Sequence, residues 1–180
     1  MEDTLITVVA FVLGAVLMLG FPLATVANNA DTMSQVSVQN STVEYVDKIR
    51  TTGKLSLEDY TKFIQEISAT GNSYDVEIEI KVLDENPGKK TTQASSTRIG
   101  ENVSYSMYTS QILDILSSNN EGTSKVLALK EGDMFSTSVR NTNTTLSQQL
   151  KNFFYTVAGN DTYTIAAEHG GYVTANGSGN

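Results

Sequence analysis

Hydrophobic and polar positions divide the chain sharply near residue 30. From Leu5 to Ala27 there is no charged residue, and residues 5–21 are almost wholly apolar. About 20 such residues cross a bilayer core, and a helix apolar all round must be buried in lipid or in protein. Beyond it, Met33, Val36, Val43, Val46 and Ile49 recur at helical spacing within 31–50, and Gly53 supplies a stop. The spacing predicts one long helix leaving the apolar run and ending near residue 52.

The remainder reads as alternating short elements. Ser56 with Asp59 three residues on is an N-cap pair, Leu55 and Tyr60 occupy the positions of a hydrophobic staple, and Leu57, Tyr60, Phe63, Ile64 and Ile67 make the apolar stripe of a helix that Gly71 ends. Tyr74, Val76, Ile78, Ile80 and Val82 alternate with Asp75, Glu77, Glu79 and Lys81, the period of a half-buried strand, with a turn at Asn86-Pro-Gly-Lys. Val103, Tyr105 and Met107 predict a second strand before a short helix around 111–116. Phe135 and Val139 predict a third strand after the Glu131-Gly-Asp turn. Thr145 and Gln148 stand at capping-box spacing before a helix carrying Leu146, Leu150, Phe153, Phe154 and Val157, closed by Gly159. A last strand over 163–174 is expected to break at Gly170-Gly171, and 175–180 to form a loose tail. The expected fold class is α+β: a long apolar N-terminal helix (1–52), then a small head domain (53–180) with an antiparallel sheet and packed helices.

Three accounts of the apolar segment compete. A cleavable signal peptide wants a positive n-region and 7–15 apolar residues, whereas the chain opens Met1-Glu2-Asp3 and its run is longer. A plain membrane anchor fits the length, but no Lys or Arg stands near either end to orient it. A helix that waits in the membrane and then enters a filament core also accounts for Gly14, Gly20 and Pro22, which weaken the helix where a packed core would need it to adapt.

An apolar N-terminal helix with Gly14 and Pro22, an amphipathic continuation toward residue 50 and a β-containing head resembles a type IV pilin. Within Val43–Lys90, Ile49-Arg-Thr-Thr-Gly-Lys and Ser68-Ala-Thr-Gly-Asn-Ser-Tyr-Asp-Val-Glu are similar to segments of small proteins encoded beside tight-adherence (Tad-type) pilus machinery in anaerobic Gram-positive bacteria. The resemblance implies a structural subunit with no enzymatic activity and no cofactor, inserted in the membrane as a precursor. It would then polymerise with copies of itself, through the pilus assembly machinery, into an extracellular surface filament for adhesion, motility or contact. The assembly residues it points to are Met1, Glu2, Asp3, Leu5, Val9, Val12, Gly14, Val16, Leu19, Gly20, Pro22 and Leu23. Type IV pilins usually carry Glu at the fifth mature position, where it pairs with a neighbour's α-amino group; here Leu5 stands there. Glu2 and Asp3 either take over that pairing or serve their own helix N-terminus through its dipole. With Met1 first, leader removal has either occurred or is not required. The alternative is a single-pass anchored binding domain or a minor pseudopilin of a secretion machine.

Composition narrows the remaining chemistry. The 180 residues carry a formal net charge of −8 with twelve scattered Lys and Arg, which disfavours nucleic acid as a partner. The absence of Cys excludes disulfides, thiolate metal sites and thiol nucleophiles. His169 is the only histidine and makes neither a triad nor a metal site by itself, and Gly53 and Gly71 lack the pattern of a phosphate loop. Asp75, Glu77 and Glu79 share a strand face that suits a cation or, more simply, water. Five Asn-x-Ser/Thr sequons, at Asn40, Asn102, Asn143, Asn160 and Asn176, occur in a chain rich in these residues, and there is no Leu-Pro-x-Thr-Gly sorting signal.

Overall fold

A computed structural model of the chain describes residues 2–83, 104–117, 126–154 and 165–177. The apolar run and its polar continuation form one helix, α1 (Glu2–Thr52), 51 residues long and therefore about 76 Å at 1.5 Å per residue. It runs without interruption through Gly14, Gly20 and Pro22. The loosening expected there is absent from the single chain. Proline's fixed φ is already helical, and its missing N–H removes one bond, to the Met18 carbonyl, from a ladder held on both sides.

Burial divides α1. Residues 3–19 are exposed on every side, whereas Ala27, Asp31, Ser34, Val38, Thr42, Tyr45, Val46 and Ile49 form a buried stripe at three- and four-residue steps. Met33 and Val36, expected on this stripe, are instead exposed at 74% and 53%. Polar residues take the inward positions because they are bonded there. Thr42 donates to the Val38 carbonyl, and Asp31 accepts from Thr145.

The head follows as β1 (Lys54–Ser56), α2 (Leu57–Ser68), β2 (Tyr74–Leu83), β3 (Ser104–Tyr108), α3 (Thr109–Ser117), β4 (Val126–Ala128), β5 (Met134–Asn141), α4 (Leu146–Phe154) and β6 (Ala166–Tyr172). Strands β3-β2-β5-β6 form an antiparallel sheet in that order, while β1 and β4 pair separately. The fold is α+β, as the sequence pattern predicts. Val76, Ile78 and Ile80 on β2, Phe135 and Val139 on β5, and Ala167 on β6 turn inward to the stripe of α1, joined by Phe63 and Ile67 of α2 and Ile112 and Leu116 of α3. Ser56 caps α2 through the Asp59 amide. Gly53 ends α1 at φ +66°, and a Cβ there would lie 2.4 Å from the Ala175 carbonyl oxygen.

Two local expectations are corrected at the end of the chain. Strand β6 passes through Gly170 and Gly171 unbroken. The glycines mark close approach: a Cβ on Gly170 would meet Ser136 Cβ at 2.7 Å, and one on Gly171 the Arg50 guanidinium at 2.6 Å. Residues 175–177 are tied down, Gly177 N donating to the Leu129 carbonyl and Leu129 N to that of Gly53. The turn at Asn86, Val103, Val157, the stop at Gly159, Tyr163 and residues 178–180 lie outside the described residues.

Candidate membrane and assembly surface

Among the described residues, residues 3–19 find no partner in the head. Leu5, Phe11 and Leu19 are 67%, 81% and 74% exposed, and large apolar side chains from Leu5 to Val26 share this exposure. The helix is long and apolar enough to cross a membrane. The two hydroxyls between Leu5 and Ala27 are internally satisfied, Thr7 donating to the Asp3 carbonyl and Thr25 to that of Phe21, so apolar surroundings need not meet bare donors there.

The helix brings half of the expected assembly residues into line. Leu5, Val9, Val12, Val16, Leu19 and Leu23 step by four and three alternately, which sets them on one face as a seam. Gly20 adjoins that seam and is half-buried, Pro22 lies on its flank, and Gly14 falls on the opposite side, where a Cβ would meet nothing within 4 Å. Asp3 is exposed in the first turn. Glu2 is placed by its backbone alone, and Met1 lies outside the described residues.

Where the apolar stretch meets the head, polar contacts missed by sequence reasoning fix the junction. Thr145 Oγ1 donates to Asp31 Oδ2 at 2.7 Å, and Ser147 Oγ to Asn28 Oδ1. Thr145 and Gln148 close the expected capping box, each side chain bonding the other's backbone N–H. The Gln35 amide grips both the N–H and the C=O of Ala166, as a neighbouring strand would. Small residues Ala24 and Ala27, each three or four residues from Gly20 or Asp31, were the one available signal.

The two other candidate features of the sequence resolve differently. His169 Nε2 lies 3.2 Å from Asp47 Oδ1, and Arg50 binds the same oxygen at 2.8 Å. The hydrogen bond from His169 holds the Asp47 carboxyl below its ordinary range despite some burial, with Arg50 helping. This set clasps α1 to β6. The acidic face of β2 lines a trough of about 810 Å³ with Tyr108, Arg140 and Glu168. Among the described residues no group of three His, Cys, Asp or Glu is arranged to hold a metal. No protein-family model matches the chain, and comparison with curated proteins and with solved structures yields no match.

Proposed function

We propose that the chain is a structural subunit of an extracellular pilin-like filament, held in the membrane by α1 before assembly and polymerised through the same helix afterwards. One observation carries this reading: residues 3–19 leave a folded head with no side covered. Leaving a Leu, Val or Phe side chain in water instead of burying it costs about 1.5–3 kcal/mol, so such a stretch is stable only in lipid or among other helices. The seam from Leu5 to Leu23 suits a neighbouring copy of α1, because a repeat of 3.5 residues keeps one face toward a partner. Partners are then other copies of the chain, the membrane and the assembly machinery, and no catalytic step is involved.

A second reading, a single-pass anchored binding domain or a minor pseudopilin, is favoured by the trough on the outer sheet face. Electron microscopy of sheared cell surfaces with a label against the head separates the two. Labelled repeating fibres support the filament. A head that stays with the membrane fraction supports the anchor. Deleting residues 1–19 is expected to yield a soluble, folded, monomeric head, since none of the described head residues covers residues 3–19; fibres formed by that shortened chain would refute polymerisation through α1.

A further inference from the structure

Two apolar side chains on the head-side half of α1 face away from the head. Met33 is 74% exposed and Val36 53%, on a surface that carries no charge. From Thr4 to Val43 the sole charged residue is Asp31, which is buried against Thr145. Charged residues make up 18% of the chain, so this stretch is depleted several-fold. The depletion continues past Ala27 to Val43, about 24 Å further along the helix at 1.5 Å per residue.

Neither of the usual surroundings fits. A helix face turned to water ordinarily presents charged side chains, and none is present here. Lipid would have to take up the exposed amides of Asn29, Gln39 and Asn40, and an amide moved into hydrocarbon without a partner is costly. Packing against another helix meets both conditions, since neutral polar groups are buried wherever they find hydrogen-bond partners.

The period of the seam says which helix. The row from Leu5 to Leu23 continues in the same alternating steps of three and four to Val26, Ala30 and Met33, all exposed, with Val36 on its flank. Val9 and Val16 hold one of the two repeating positions and Leu5 and Leu19 the other, the distribution that favours two parallel strands. A 3.5-residue repeat drifts about 20° per heptad on a straight helix. The drift turns the seam away from the buried stripe as it climbs, which leaves Ala30 and Met33 clear of the head.

Charge points to the same occupant. Two copies related by a two-fold axis put the same patch on both sides, so an exposed charge on that patch would meet its own like. In a chain of net −8, a neutral face is what such a pair requires.

We propose that membrane-inserted copies of the chain pair in parallel along α1, and that Val26, Ala30, Met33 and Val36 carry the pairing above the bilayer. The partner is a second copy of this chain, held at the same depth and with its head on the same side by residues 5–27. This rests on α1 being membrane-inserted before assembly. Four side chains a copy fall far short of the roughly 20–30 residues a side of a stable interface. The face therefore extends a contact begun in the apolar run, and a head without that run stays monomeric.

The chain contains no Cys, so single cysteines report without background. Full-length Met33→Cys, Thr32→Cys and Leu19→Cys, all at exposed positions, are reconstituted into phosphatidylcholine–phosphatidylglycerol vesicles and oxidised with copper phenanthroline. Met33→Cys and Leu19→Cys should form disulfide dimers. Thr32→Cys, about 100° round the helix, should form them at least about fivefold more slowly. Dimers of Leu19→Cys without those of Met33→Cys confine the contact to the bilayer, which overturns the proposal and spares polymerisation through α1. Equal rates from Thr32→Cys and Met33→Cys mean random collision and overturn it, as does the absence of dimers at both Leu19→Cys and Met33→Cys. If an aqueous maleimide labels Leu19→Cys as fast as Thr32→Cys, α1 is not in the membrane, and the anchor fails together with this inference. Met33→Glu gives a second reading. Added to Leu19→Cys it should slow dimer formation several-fold, because like charges set face to face repel, whereas Thr32→Glu should not; an unchanged rate with Met33→Glu would overturn the proposal.

Discussion

Replacing Tyr45 by Phe should leave the head as stable as before or more so, which is unusual for a core residue that is 6% exposed. The Tyr45 ring stacks on Phe63 with centroids 4.3 Å apart and meets Phe135 edge-on at 5.9 Å, and Phe keeps both contacts. The hydroxyl is buried without a hydrogen-bond partner, a state that costs about 1–3 kcal/mol. Removing it should return about 1 kcal/mol, or roughly 2–4 °C in Tm for a chain of this size. Tyr45→Ala, which forfeits the ring contacts and opens a cavity, should instead cost about 3–5 kcal/mol. Burial, with the Tyr60 and Asp59 charges adding to it, also pushes the Tyr45 hydroxyl pKa well up. A folded pKa above the unfolded value stabilises fully below the unfolded pKa, near 10, and is lost as pH rises beyond it. Tyr45→Phe should therefore hold its Tm at pH 10–11 better than the parent chain. Thermal melts by circular dichroism on the full chain in detergent, at pH 7 and pH 10.5, test both statements. A Tm for Tyr45→Phe several degrees below the parent at pH 7 would show that the hydroxyl is bonded and refute the reasoning.

Three further outcomes are expected. Gly170→Ala should cost about 1–3 kcal/mol by overpacking, and more than Gly171→Ala, because Ser136 Cβ cannot yield as a guanidinium can; equal Tm losses would contradict this. At Asp59, burial raises the carboxyl pKa, but bonds from Lys48 and Ser56 at 2.6 Å outweigh it and the net shift is downward. Its stabilisation is thus complete above the ordinary carboxylate value and fades as pH falls through the lowered one, so Asp59→Asn should flatten the fall in Tm below about pH 4. Changing Glu2 to Gln together with Asp3 to Asn should lower fibre yield with membrane insertion intact if the acids pair with a neighbour's α-amino group; unchanged yield would assign them to their own helix N-terminus.

Elements whose signal is local were legible in the sequence. The Ser56–Asp59 cap, the alternation along β2 and the Thr145–Gln148 box are set by residues two to four apart, and they form as expected. Positions decided across long separations were misread. Met33 and Val36 look inward by hydropathy, yet Asp31 occupies the inward face because a hydroxyl 114 residues away meets it. Leu146 looks like core for the same reason in reverse. Strands β1 and β4 have three residues each, too few for any period to register, and the glycines of β6 look like a break until Ser136 and Arg50 are seen crowding them. The candidate surface was legible in part: composition alone exposes the apolar run, while the polar knot of Asn28, Asp31, Thr145 and Ser147 appears only once α4 is in place.

Strand β6 and the head-side half of α1 run the same way, matched from Gln35 beside Ala166, through Asp47 beside His169, to Arg50 beside Tyr172 and Thr174. Tension applied along α1 therefore acts on these bonds in shear. They must stretch together and cannot be unzipped one at a time. The sheet beyond β6 is drawn along its strands, the direction in which its ladders also share strain. A head built this way passes a pull from its helix into the whole sheet, and gives way only when the set of clasps fails at once.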